Sequence, residues 1–371
     1  MTRTVEAEFL ATVRDRQPGR ILPVLVSAGP FLPILRGIPM LKYYRDPALL
    51  LECNLWLQDR FPDVKLVVGP WGDFGVAAVP SAFGCPVFWT EEDPPYVKPV
   101  LGSIEEVDRL RPVDPHRDGL MPDALEIYRY AWKNTPRRYV EEYGWLDGVA
   151  WVLGPLENAA LIRGYSEFLA DLVEEPERVH KLLSIVTETT LAFLRAHEEV
   201  NGPMKLLFVA EHFPSQVGRA HFEEFCLPYV RAIFAEFPGA IGLYHNEGNV
   251  SHILDRIPEL GAEIFHFGLV TPQGRSRSGS ERERFRESIK TAVAALGDRM
   301  CLAGNVHPVD VMLNGTPQEV AEEARFCMDA AVGKAPFLLT GGGGMAPGTP
   351  LENVDALVAA AREYRLIPSP V

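Results

Sequence analysis

Four polar residues crowd the end of one short apolar run. Ala240, Ile241 and Leu243 read as a buried strand after the turn Phe237-Pro238-Gly239, and Tyr244, His245, Asn246 and Glu247 close it. Residues two apart in a strand point to the same side, so His245 and Glu247 present an imidazole and a carboxylate together. Such a pair holds a divalent metal or works as an acid–base couple. It serves equally, with no chemistry at all, to tie a strand end to its loops. A second polar end, Glu211-His212, closes the run at 205–209. If consecutive strands are neighbours, Glu211 lies beside His245 and Glu247. Two carboxylates and one imidazole then make a three-ligand zinc site with an open position, where the ion polarises a substrate oxygen. On this reading His212 points the other way and is structural. Glu224, on the helix that follows, is a further candidate ligand if that helix starts bent. Without metal, Glu211 is a general base or an acceptor for a substrate hydrogen bond.

Other strand ends add candidates for substrate contact, each with a plain structural counterpart. Tyr244 belongs to the same cluster. His266, between Phe265 and Phe267, either lines a pocket or is a satisfied core histidine. Asn305 and His307 share a side by their spacing and either orient substrate or cap the next helix. Asp73 lines the mouth or makes a turn beside Gly72, and Asn158 contacts substrate or caps a helix. Gly342 and Gly343, inside the tetraglycine at 341–344, let backbone approach a ligand or simply permit a tight turn.

The elements that must position these residues follow a rhythm. Short apolar runs at 21–26, 65–68, 148–153, 205–209, 240–243, 263–267, 300–303 and 336–339 each end in polar or glycine-rich sequence. Helical patterns separate them, clearest at 46–60, 122–143, 176–199, 219–237 and 351–364. Eight strand–helix units imply a parallel sheet and predict an α/β fold, a single (β/α)₈ barrel spanning 1–371. In such barrels chemistry sits at the C-terminal strand ends, where all the polar clusters fall. The Pro-rich excursion at 74–121 is expected to cover the mouth. A doubly wound dinucleotide fold lacks its glycine fingerprint after the first strand.

The chain carries a net charge of −14, with 47% hydrophobic and 23% charged residues. That balance speaks for a large core and against nonspecific nucleic-acid binding. Five scattered cysteines without a C-x-x-C pair fit a reducing cytoplasm. No signal peptide or membrane-spanning run is expected. Homodimer formation stays open.

The stretch Gly341-Gly342-Gly343-Gly344-Met345-Ala346-Pro347-Gly348-Thr349-Pro350-Leu351-Glu352-Asn353 resembles the C-terminal signature of the uroporphyrinogen decarboxylase superfamily. Tyr244-His245-Asn246-Glu247-Gly248-Asn249 is similar to its His-x-Cys-Gly-Asn-like segment, and Gly164–Leu169 and Phe222–Tyr229 also match. The resemblance implies a (β/α)₈ barrel with its site at the strand C-termini. True decarboxylases carry an Arg-Gln-Ala-Gly-Arg motif at the first strand end; here that place reads Val26-Ser27-Ala28-Gly29-Pro30. A similar-looking Arg16-Gln17-Pro18-Gly19-Arg20 precedes the strand instead. In the corrinoid-dependent methyltransferase branch, zinc is held by His-x-Cys and a later Cys. His245 matches the first ligand, whereas Glu247 and Gly343 stand at the two Cys positions. The resemblance therefore points to members with oxygen-rich zinc sites that act on methyl ethers or methylamines. It implies a small-molecule O-methyl or N-methyl donor, and a corrinoid (cobalamin) carried by a partner protein as acceptor. The alternatives are a metal-independent decarboxylase or lyase using His245 and Glu247 as acid and base, and a non-catalytic binder.

Overall fold

The computed structural model describes residues 3–26, 29–67, 69–72, 74–271 and 280–366. Eight parallel strands form its centre: β1 Leu22–Val26, β2 Lys65–Val67, β3 Val149–Leu153, β4 Leu206–Ala210, β5 Ile241–Asn246, β6 Ile264–Phe267, β7 Cys301–Val306 and β8 Phe337–Gly341. Their order around the sheet is β2-β1-β8-β7-β6-β5-β4-β3, so each strand lies beside its neighbours in sequence and β8 returns to β1. With helices outside, this is the expected (β/α)₈ barrel. Among the described residues no ladder joins β2 to β3. Side chains meet across that seam, where the rings of Trp71 and Trp151 lie 4.6 Å apart.

Each strand is buried on both faces, so side chains divide into an inner and an outer set. The inner set includes Leu206, Phe208 and Ala210 of β4, Ile241 and Leu243 of β5, and Ile264 of β6. Leu207 and Val209 of β4 and Tyr244 of β5 belong to the outer set, packed against helices. The register pairs Ala210 with His245 and His245 with His266.

Several predicted elements take a different form. The helix predicted for 122–143 divides at Pro136 into Met121–Asn134 and Arg137–Tyr143, because proline lacks the N–H that would continue the ladder. The helix predicted for 219–237 passes through a π-turn at Phe222–Cys226 before Leu227–Glu236. β7 runs three residues past the predicted run, to Val306. The N-terminus, polar in composition, forms helix Val5–Val13, capped by Thr4. Its Val5, Phe9 and Val13, one face at helical spacing, join the inner set and close the N-terminal end of the barrel. The excursion after β2 leaves on the mouth side. It contains helix Ala78–Ala82 and the two-stranded pairing of Val87–Phe88 with Tyr96–Val97. Among the described residues no helix is long and apolar enough to cross a membrane.

Candidate metal centre at the barrel mouth

Strand parity decides which polar residues meet. Ala210 is inner, so Glu211 turns outward, and the next residue, His212, returns to the mouth. His212, His245 and Glu247 each offer one ligand atom, and these atoms lie within 4.8 Å of one another. The ring of His212 meets that of His245 edge-on at 5.4 Å. His245 Nε2 stands 3.3 Å from Glu247 Oε1.

A hydrogen-bond relay fixes which nitrogen of His245 is free. His266 Nε2 lies 2.9 Å from Gly341 O, and a carbonyl only accepts, so Nε2 carries the proton. Burial, with His245 alongside, pushes the pKa of His266 down to about 3 against the weaker pull of the Gly341 bond. Neutral His266 thus has a bare Nδ1, which accepts from His245 Nδ1 at 2.8 Å. Burial lowers the pKa of His245 as well. Its remaining nitrogen, Nε2, is then a lone pair aimed at a carboxylate. Two acceptors 3.3 Å apart need a cation between them. For Glu247, burial works to raise the pKa. The hydrogen bond and charge that His245 supplies once protonated in acid, the charge of His212 and the N–H of Gly344 outweigh it and hold the carboxyl well below its usual range. A proton on Nε2 fills the gap in acid; a divalent ion fits it at neutral pH. The third member agrees, since His212 Nε2 is buried with no hydrogen-bond partner. The residues present therefore fit a metal ion.

The glycine loop after β8 is shaped around Glu247. Gly344 N donates to Glu247 Oε1 at 2.9 Å. A Cβ on Gly343 would stand 2.9 Å from the Glu247 carboxyl carbon, so the carboxylate occupies the room a side chain there would need. Gly342 is confined by packing: its Cβ would lie 2.5 Å from the Phe285 ring.

Other sequence candidates are placed elsewhere. Glu211 does not converge with His245. It is fully buried on the helix side, where its Oε1 accepts from Leu156 N and its Oε2 from the Cys226 thiol, both at 2.9 Å. Burial raises its pKa to about 7, partly offset by the Cys226 and Leu156 bonds. Glu224 faces His180 at 3.4 Å on the outer helices, away from the mouth. Tyr244 lies in the outer layer near Cys226 and Glu211. Asn158 donates to Leu153 O at 2.9 Å and secures the end of β3. Asn305 and His307 both meet Phe285, but their hydrogen bonds go to different backbone groups. Asn305 donates to Gly268 O and Phe285 O at 3.1 and 3.2 Å. His307 Nδ1 accepts from Val309 N and Asp310 N and caps the turn Pro308–Leu313. Asp73 lies outside the described residues. The sequence reads His212 as structural, because a strand apolar on both faces carries no alternation to reveal its inner side.

The chain belongs to the uroporphyrinogen decarboxylase family, whose model matches residues 4–364. It is 26% identical over 299 residues to a methylcobamide:CoM methyltransferase of Methanosarcina acetivorans, covering 79% of this chain and 78% of that protein. It is 23% identical over 365 residues to a uroporphyrinogen decarboxylase of Coxiella burnetii, covering 95% and 93%. Among solved structures, a methyltransferase from Methanosarcina mazei superposes with a TM-score of 0.78 at 21% identity, covering 98% of this chain and 99% of that one. That likeness concerns the fold.

Proposed function

We propose that this protein is a methyltransferase that moves a methyl group from a small O-methyl or N-methyl donor to a corrinoid carried by a partner protein. His212, His245 and Glu247 would hold a zinc ion at the barrel mouth. The observation that carries the reading is the His245–Glu247 pair of facing acceptors with His212 beside it. Two imidazoles and a carboxylate are a known catalytic zinc set that leaves a position open. When bound, the ion would polarise the donor's heteroatom and make it a better leaving group. The chain's residues do the rest. His266 and Gly341 keep the Nε2 lone pair of His245 aimed at the site, and Gly344 orients Glu247. Phe208, stacked on His245 at 5.6 Å, supplies a dry floor.

The donor set favours an oxygen- or nitrogen-bound substrate. All five cysteines are buried, and none belongs to the cluster. Relatives named for methyl transfer support the reaction class. The test is metal analysis and turnover with a panel of methyl ethers and methylamines plus a corrinoid acceptor. Zinc at one equivalent and activity lost in His212→Ala and His245→Ala are expected. A metal-free enzyme that releases carbon dioxide from a carboxylic acid, indifferent to chelator, would replace this reading with decarboxylation.

A further inference from the structure

Behind the trio, on the helix side of β4, lie two buried carboxylates that the proposed chemistry does not use. Glu157, in helix Pro155–Arg163, is 3% exposed. Its Oε2 accepts from the backbone N–H of His212 at 2.8 Å and of Phe213 at 2.7 Å. Its Oε1 takes the hydroxyl of Tyr165. Glu211 reaches in the opposite direction, to Leu156 N and the Cys226 thiol. The chain after β3 thus holds the chain after β4, and is held by it. Gly154 makes the crossing fit, since a Cβ there would lie 2.1 Å from Glu211 Cγ.

The two clamps differ in what they grip. The partners of Glu211 carry no ligand. Glu157 grips the peptide of His212 itself, two residues beyond the last ladder pair of β4. At the ring end His212 Nε2 has no hydrogen-bond partner, and the ring meets His245 edge-on. Hydrogen bonds therefore fix His212 at its peptide N–H, not at Nε2. Tyr165 braces the arrangement, its hydroxyl on Glu157 and its ring against Phe213 at 5.2 Å.

We infer that Glu157 is the positioning residue of this metal centre: it sets how far the imidazole of His212 reaches toward His245 and Glu247, and Tyr165 sets where its carboxylate points. The inference rests on the trio being metal ligands for a divalent cation. Partners of this kind, one bond removed from a ligand, commonly govern about 10–100-fold in affinity.

The test uses the full chain, with zinc and cobalt(II) titrated into wild type, Glu157→Gln, Tyr165→Phe, Glu211→Gln and His212→Ala, and crystal structures of the metal-free Glu157→Gln and Tyr165→Phe proteins. Glu157→Gln should weaken both ions by about 10–100-fold. It should also change the visible cobalt bands and move the His212 ligand atom out of the 4.8 Å cluster. Tyr165→Phe, a change at a partly exposed residue, should show the same signs more weakly, and decides the matter if Glu157→Gln does not fold. Glu211→Gln should keep wild-type affinity and bands. The inference is overturned if Glu157→Gln and Tyr165→Phe keep wild-type affinity and bands, or if Glu211→Gln loses as much as Glu157→Gln. Should wild type bind neither ion, the metal reading falls alone. The crystal structures then decide the positioning: a displaced His212 supports it, an unmoved one overturns it.

Discussion

Glu211 and Glu247 close two strands that pair directly, yet their carboxyls live under opposite conditions. Glu211 follows Ala210, whose side chain is inner, and so is driven outward into the helix layer, where the Cys226 thiol donates to it. Its pKa rises to about 7, chiefly through burial. Glu247, two residues past inner His245, sits at the rim with 46% of its side chain exposed. There two imidazoles and a backbone N–H hold its proton off. A one-residue difference in parity separates a carboxyl packed in the helix layer from one placed at the mouth beside two imidazoles. Residue type alone does not tell the two apart.

The comparison is most directly broken at the metal. His245→Ala and Glu247→Gln should each weaken zinc by at least about 100-fold in a calorimetric titration, while Glu211→Gln stays near wild type. Equal losses in all three would erase the distinction. The next effect is on stability in chelator. A carboxyl whose folded pKa lies above its ordinary 4.5 favours the folded state fully below pH 4.5, and that contribution is lost as pH rises through about 7. Denaturant melts of wild type minus Glu211→Gln should therefore decline from pH 4.5 to 8 by roughly 3 kcal/mol. A flat difference would show that Glu211 is not desolvated. Gly343→Ala sharpens the other side. Its methyl would press on the Glu247 carboxylate, and zinc affinity should fall about tenfold with little change in stability. Smallest is Cys226→Ala, which removes the thiol donor from Glu211 and should cost about 1 kcal/mol in urea melts with zinc binding unchanged.

Much of the architecture was readable from the chain. Eight apolar runs with polar ends carried the barrel, since strand length and turn residues are local properties. His245 and Glu247 were placed together because their spacing lies within one strand. The partner across the ladder was not readable, because β4 is apolar on both faces and Glu211 and His212 are adjacent letters. Helix Val5–Val13 was hidden for a related reason: its inward Val5, Phe9 and Val13 are interleaved with Glu6 and Glu8, and the bonds that let Glu8 be buried come from Gly19 N and Arg20 N, outside the helix. Asn305 and His307 were paired by spacing, but spacing does not tell that one bonds Gly268 O and the other caps the turn that follows it.

Among the described residues seven ladders join the strands and leave one place, between β2 and β3, where side chains bridge the wall. From that gap a file of rings crosses the interior: Trp71 on Trp151 at 4.6 Å, Trp151 on Phe208 at 6.2 Å, Phe208 on His245 at 5.6 Å and His245 on His266 at 4.5 Å. The least-laced flank of the cylinder is thus joined, ring by ring, to the histidines at its rim. Amide exchange should be fastest along the unlaced edge of β3, and thinning the file with Trp151→Leu should loosen His245 from across the barrel, without touching a single one of its hydrogen bonds.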